Sequence, residues 1–151
     1  MATLDEYLIG LKDFEKKYES IVKDAIKQNE GKIIGMVKLR LFNTGIDGSG
    51  KLIGHYTQLS KDLKKLSGQR SSFITLRDTG NWYRSMFLDL DNDKLILNAS
   101  DWKTSKLIRN YGESILEFTE QEQLMIVQSI IEPAILKAFP EYGIVNIYDE
   151  D

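Results

Sequence analysis

Apolar positions along the first thirty residues recur at helical spacing. Leu4, Leu11, Tyr18 and Ala25 fall on a seven-residue repeat, and Tyr7, Phe14 and Ile21 interleave with them. The result is one apolar stripe, with Lys, Glu and Asp on the remaining faces. Thr3 followed by Glu6 has the spacing of a capping box, so the pattern predicts a helix from residue 3 to about 30. Such a helix is about 40 Å long, more than the rest of the chain can cover. It is therefore either a core-packing helix or one that also packs on a neighbouring subunit. Gly31 and Gly35 loosen the pattern, so the helix either ends between Gln28 and Gly31 or runs on to Arg40.

The pattern then changes. KLRLF (38–42) alternates apolar and basic, as a strand does, and leads into the glycine-rich TGIDGSGKLIG (44–54). From there to Arg70 the text is polar and basic, and it predicts an exposed arm over 43–70 with a short helix over 58–66. FITLRD (73–78), WYRSMFLDL (82–90) and KLILNAS (94–100) predict β-structure, the last two joined by a hairpin turn at Asp91-Asn92-Asp93. SKLIRNYGESILEF is half helix and half loop. Thr119 and Glu122 form a second capping-box pattern, opening a helix to about Phe139 that Pro133 kinks and Pro140 ends. YGIVNIY (142–148) predicts a last strand in a C-terminal tail over 140–151. Helices and strands are segregated, so the class is α+β, read as a single domain over 1–151.

Composition narrows the chemistry. The 151 residues are 42% hydrophobic and 28% charged, with a formal net charge of −3. That composition can bury a core, and it gives no overall basic field for nucleic acid. With no cysteine, disulfides and thiolate metal sites are excluded. No leader or bilayer-spanning run is visible, so the expectation is a soluble intracellular product with no membrane partner.

Gly45, Gly50 and Lys51 match the G-x-x-x-x-G-K spacing of a phosphate-binding loop, but position 52 is Leu where the magnesium-binding hydroxyl belongs. No helix is predicted to open there. The residues read better as turn formers. Asp89, Asp91 and Asp93 have the start of a calcium-loop spacing, yet Lys94 and Ser100 stand where Gly and Glu are needed. The lone His55 excludes a multi-histidine metal site, and Ser71, Ser72 and Ser85 lack a nucleophile-elbow context. No acid pair is isolated enough to serve as general acid and base. The expectation is no enzyme, no metal and no cofactor. The basic stretch from Lys51 through Lys61, Lys64 and Lys65 to Arg70, with Tyr56, is either a solvated surface or a binding surface.

The central text resembles a known family. Gly45, Asp47 and Gly50 fit a "G-x-D-x-x-G" turn. Leu76, Asp78, Thr79, Gly80, Tyr83 and Ser85 fit "L-x-D-T-G-x-x-Y-x-S", and Tyr111, Gly112, Ile115 and Thr119 fit "Y-G-x-x-I-x-x-x-T". In that order, over roughly residues 40 to 122, they look like the virion-morphogenesis and tail-completion proteins of tailed bacteriophages, of the type found in Bacteroidetes and crAss-like phages. One departure is the lack of a His or Gly-rich turn near the YGE position. The resemblance implies a structural subunit of a head-to-tail neck or tail ring, on the order of six or twelve copies, closed by heterologous contacts. It implies portal, adjacent neck-ring or tail proteins as partners, and a virion location after assembly in the host cytoplasm. Lys51, Tyr56, Lys61, Lys64, Lys65 and Arg70 then become subunit-contact candidates, with packaged DNA as an alternative surface for them. The acidic end, 149–151, would complement such basic arms. Gly45, Asp47, Gly50, Asp78, Thr79, Gly80 and Tyr83 become turn and fold residues. A small interaction or regulatory module stays open as the alternative.

Overall fold

The computed structural model describes residues 3–55, 58–69, 72–91 and 94–144. The fold is α+β, with a long N-terminal helix, one antiparallel hairpin and a C-terminal helix. The chain makes two compact units. One comprises the residues up to Asn29 and those from Leu124 on; the other runs from Glu30 to Gln123.

In the first unit, α1 (Leu4–Gln28) opens with the expected capping box. Thr3 Oγ1 accepts the Glu6 amide at 3.2 Å, and the Glu6 carboxylate accepts the Thr3 amide at 2.9 Å. Two orphan amides are thereby satisfied reciprocally. Phe14 meets Phe139 and Tyr142 edge-to-face, with ring centroids 5.2 and 5.7 Å apart. Gly10 is obligatory there, because a Cβ would lie 1.8 Å from the Tyr142 carbonyl oxygen. Asn29 ends the helix. Its amide reaches the carbonyls of Ala25 and Ile26, and its side-chain Nδ2 donates to Ala25 at 2.8 Å.

The second unit begins with α2 (Glu30–Thr44), so KLRLF is helical and not a strand. Ile33, Ile34, Val37 and Leu41 are buried while Leu39 is 61% exposed. The burial thus follows a helical period, which a five-residue alternation could not reveal. Next come α3 (Gln58–Leu66) and the single turn α4 (Asn81–Arg84). The hairpin is β1 (Met86–Asp91) with β2 (Lys94–Ala99), in the register Met86 opposite Ala99, Leu88 opposite Leu97 and Asp91 opposite Lys94. Met86, Leu97 and Ala99 join Ile34, Val37, Leu41, Trp82, Tyr83 and Ile115 in one buried cluster. On β1, the Leu88 amide is satisfied by the Glu30 carboxylate at 3.0 Å.

Three β expectations change. Residues 73–78 form no strand. Trp82 to Arg84 are helical because Gly80, at φ 86°, caps a turn before β1 starts. Tyr142 closes a tight helical turn instead of opening a strand. Gly143, at φ 70°, donates to Pro140 and Ile144 donates to Phe139, the pairing of a glycine-capped helix end. The rest of the expected last strand lies outside the described residues, as do Asn92, Asp93 and the acidic end. α5 (Thr104–Tyr111) is followed by a short turn over Glu113–Leu116.

The last helix starts as α6 (Glu120–Ile126), widens over Val127–Ile131, and resumes as α7 (Glu132–Ala138). In the wide turn the Glu132 amide reaches back five residues to Val127. Proline at 133 has no amide, and its ring crowds the carbonyl four residues before it. A widened turn there absorbs the misfit that the sequence suggested as a kink.

Candidate functional site

The residues singled out by sequence converge, in part, on one structure in the second unit. TGIDGSGKLIG folds back on itself. Ile46 and Leu52 form an isolated antiparallel bridge, and the Asp47 amide donates to the Lys51 carbonyl at 2.8 Å. Gly45 and Gly50 adopt φ of 64° and 85°, the left-handed conformations that glycine tolerates best. Asp47 is only 8% exposed. Its Oδ1 accepts from the Ser49 hydroxyl at 2.6 Å and from the amides of Ser49 and Lys51 at 2.9 and 3.2 Å. Burial pushes this carboxyl up. The Ser49 hydroxyl, the two amides and the Arg40 charge outweigh it and hold Asp47 below the usual carboxylate range.

Arg40 pins the turn. Its Nε donates to both Glu122 oxygens at 3.1 and 3.0 Å, Nη1 donates to the Ile46 carbonyl at 2.6 Å, and Nη2 to the Glu117 carbonyl at 2.9 Å. The two side chains are 11% and 7% exposed. Glu122 also completes its capping box, accepting the Thr119 amide at 3.0 Å while Thr119 Oγ1 accepts the Glu122 amide at 3.1 Å. Gly48 closes the assembly: its amide donates to Ser114, and a Cβ there would stand 2.4 Å from the Glu117 oxygen. An open groove of about 940 Å³ runs alongside, lined by Met36, Thr44, Ser49 and Gln123 among others. The guanidinium of Arg40, which also lines the groove, is occupied by the protein's own oxygens.

After Lys51 the chain turns back through the bridge at Leu52, and the next helix begins only at Gln58. The glycine pattern is therefore a packed turn, and the first part of the expected arm is built into the body of the unit. Lys51 and Lys65 are exposed, whereas Lys61 and Lys64 are half-buried. Lys64 Nζ reaches Gln69 Oε1 at 3.1 Å and the Arg77 carbonyl at 3.2 Å. Tyr56 and Arg70 lie outside the described residues. His55 Nδ1 is 3.1 Å from the Ser72 carbonyl.

The second motif forms a separate turn. Gly80 is buried and left-handed, while Asp78 and Thr79 are exposed. Thr79 Oγ1 lies 3.4 Å from the Asn81 amide, and the Asp78 carbonyl accepts from Gln69 Nε2 at 2.9 Å. Tyr83 is buried and its hydroxyl donates to the Thr75 carbonyl. Trp82 Nε1 donates to Thr104 Oγ1 at 3.1 Å. Both indole and phenol thus bury their rings and satisfy their polar ends.

Sequence reasoning missed two features. Arg40 and Glu122 are 82 residues apart, and no local spacing in the sequence pairs them. The other is the outward face of α3, a helix expected over these residues, whose Leu59, Leu63 and Leu66 are 72%, 58% and 85% exposed. Their four-then-three spacing was readable as a stripe. Among the described residues no group of three or more His, Cys, Asp or Glu side chains is placed to hold a metal ion, and no helix is long and apolar enough to cross a membrane. No protein-family model matches the chain, and neither a curated protein nor a solved structure does.

Proposed function

We propose that this chain is a structural subunit of a bacteriophage virion, forming a ring in the head-to-tail neck or tail. The single observation that carries this reading is the apolar surface left on its helices. α1 exposes Leu4, Leu8 and Ile9, and α3 exposes its three leucines. Contiguous apolar surface of this kind belongs to proteins that cover it by association. The ordered motifs agree with a scaffold role: Gly45, Asp47, Gly80 and Tyr83 hold turns and a core, and none presents a reactive group to a substrate.

The test is the mass of the purified chain by light scattering, together with negative-stain images. Discrete rings, or binding confined to a portal, neck or tail component, support the proposal. A monomer at all concentrations that binds a non-virion partner favours the small interaction module instead.

A further inference from the structure

Each nitrogen of the Arg40 guanidinium donates to a protein oxygen. Arg77 and Arg84, in the same unit, differ: they converge over Gly80 with most of their donors unused. A Cβ at Gly80 would stand 2.9 Å from Arg84 Nη1 and 3.7 Å from both Nε and Nη2 of Arg77. The lack of a side chain at this buried, left-handed position is what admits both guanidiniums. Arg84 uses Nη2 on the Asn81 side-chain oxygen and, at 3.4 Å, on the Thr79 carbonyl. The Arg77 guanidinium lies over the Phe42 ring, 5.4 Å from its centroid, a contact that uses no hydrogen-bond donor. Among the described residues no carboxylate pairs with either guanidinium, and no oxygen accepts from Arg77 Nε or Nη2 or from Arg84 Nη1. Asp78, next to Arg77 in sequence, is exposed and pairs with neither.

The loop that carries these groups is held by its carbonyls. Tyr83 donates to Thr75, Lys64 Nζ to Arg77 at 3.2 Å, Gln69 Nε2 to Asp78 at 2.9 Å and Arg84 to Thr79. Within it Leu76 adopts φ 62°, a left-handed conformation unfavourable for leucine, and packs on the buried cluster while Arg77 is exposed. Backbone strain held in place by surrounding contacts clusters at ligand-binding positions. Two like charges set side by side without a counter-ion also repel in the free protein, and a bound anion removes that repulsion. A carboxylate is matched by one guanidinium fork. Two forks from different residues match a tetrahedral anion, which has more oxygens and more charge. We propose that Arg77 and Arg84 form a binding site for a phosphate group, whose oxygens take donors from both side chains above Gly80. Both arginines are exposed, so the site is open to a small phosphate compound and to the phosphates of a nucleic-acid backbone alike. It stands independently of the ring reading.

The probe is inorganic phosphate, titrated into the full-length chain at constant ionic strength and followed by the arginine Nε–H signals in NMR spectra. The expected result is saturable shifts at Arg77 and Arg84, with Arg40 and the exposed Arg109 unmoved. Acetate at the same ionic strength leaves all of these signals in place. Arg77→Gln and Arg84→Gln, each checked for an unchanged melting temperature, weaken phosphate binding by about tenfold. Arg77→Lys keeps the charge, loses the fork and weakens binding too, whereas Arg109→Gln has no effect. If Arg84→Gln loosens the loop, Arg77→Gln and the signals of the unsubstituted chain carry the test. A short DNA duplex then identifies the source. Binding about tenfold tighter than phosphate, lost in both glutamine variants, assigns the site to a nucleic-acid backbone. Duplex binding no tighter than phosphate assigns it to a small phosphate compound. No saturation with either probe, equal shifts with acetate, or an equal loss in Arg109→Gln overturns the site.

Discussion

The stretch from Thr44 to Leu66 holds two regions of opposite construction. In the turn over 44–54, polar groups are buried and satisfied: Asp47 by three donors, and Arg40 by Glu122 and two carbonyls. In α3, apolar groups are exposed and three of its polar groups lean inward. A buried polar network costs much if broken and contributes little surface for partners. An exposed leucine stripe costs little if changed and offers much surface. Mutations in the first region should therefore act on folding, and mutations in the second on association.

The largest effect is expected at the ion pair. Glu122→Ala leaves the Arg40 guanidinium buried without its carboxylate and also removes one arm of the capping box. Breaking a buried pair in this way costs about 3–5 kcal/mol. Denaturant unfolding should show the loss as a lower midpoint. Replacing both residues, as Arg40→Met with Glu122→Leu, should recover part of it, because no charge is then stranded. If the double variant is no more stable than Glu122→Ala, the pair is not the origin of the effect.

Gly48→Ala should come next. The added methyl meets the Glu117 backbone, which cannot swing aside as a long side chain would. Overpacking of that kind costs about 1–3 kcal/mol. Gly50→Ala meets nothing nearby and carries only the strain of a left-handed alanine, about 1 kcal/mol. Equal losses at the two positions would show that conformation, not the close approach to Glu117, dominates the turn. Gly80→Val combines a positive φ with crowding against the Arg84 side chain and should also prevent normal folding, read as a lowered melting temperature.

Asp47 adds a pH signature. Its carboxyl is held below the ordinary value, so the folded state binds a proton less readily than the unfolded one. The stabilisation is present above the unfolded pKa and is lost as pH falls through the folded pKa. Asp47→Asn should cost about 1 kcal/mol at neutral pH and should flatten the loss of stability on acidification below about pH 4. An unchanged acid limb in the variant would assign that limb to other carboxylates.

The features legible in the sequence were local. Both capping boxes formed as spaced, because each needs only four consecutive residues. The Leu88–Leu97 hairpin followed from a period of two on both sides of a turn. The misreadings came where local pattern was ambiguous or overruled. Five residues of alternation at KLRLF fit a helix as well as a strand, and only the burial of Ile33, Val37 and Leu41 decides between them. Trp82 and Tyr83 have strand-like side chains, yet the left-handed Gly80 starts a helical turn that carries both into the core. The Arg40–Glu122 clamp depends on long-range folding, and no local spacing encodes it. The outward face of α3 was hidden for a different reason: periodicity finds an apolar stripe but does not say which way it points.

The smallest effect on stability, and the most informative on function, is expected at that stripe. Leu63 is more than half exposed in the monomer, so Leu63→Glu should change unfolding stability by no more than about 0.5 kcal/mol. Buried against a partner surface, the same position would hold a carboxylate among apolar side chains. Dissociation by light scattering with an unchanged unfolding midpoint is therefore the expected result. Leu63→Lys should disrupt less than Leu63→Glu if the opposing surface is acidic, and equally if that surface is merely apolar. A variant that unfolds instead of dissociating would mean that α3 is covered within its own chain, and the contrast between the two regions would disappear.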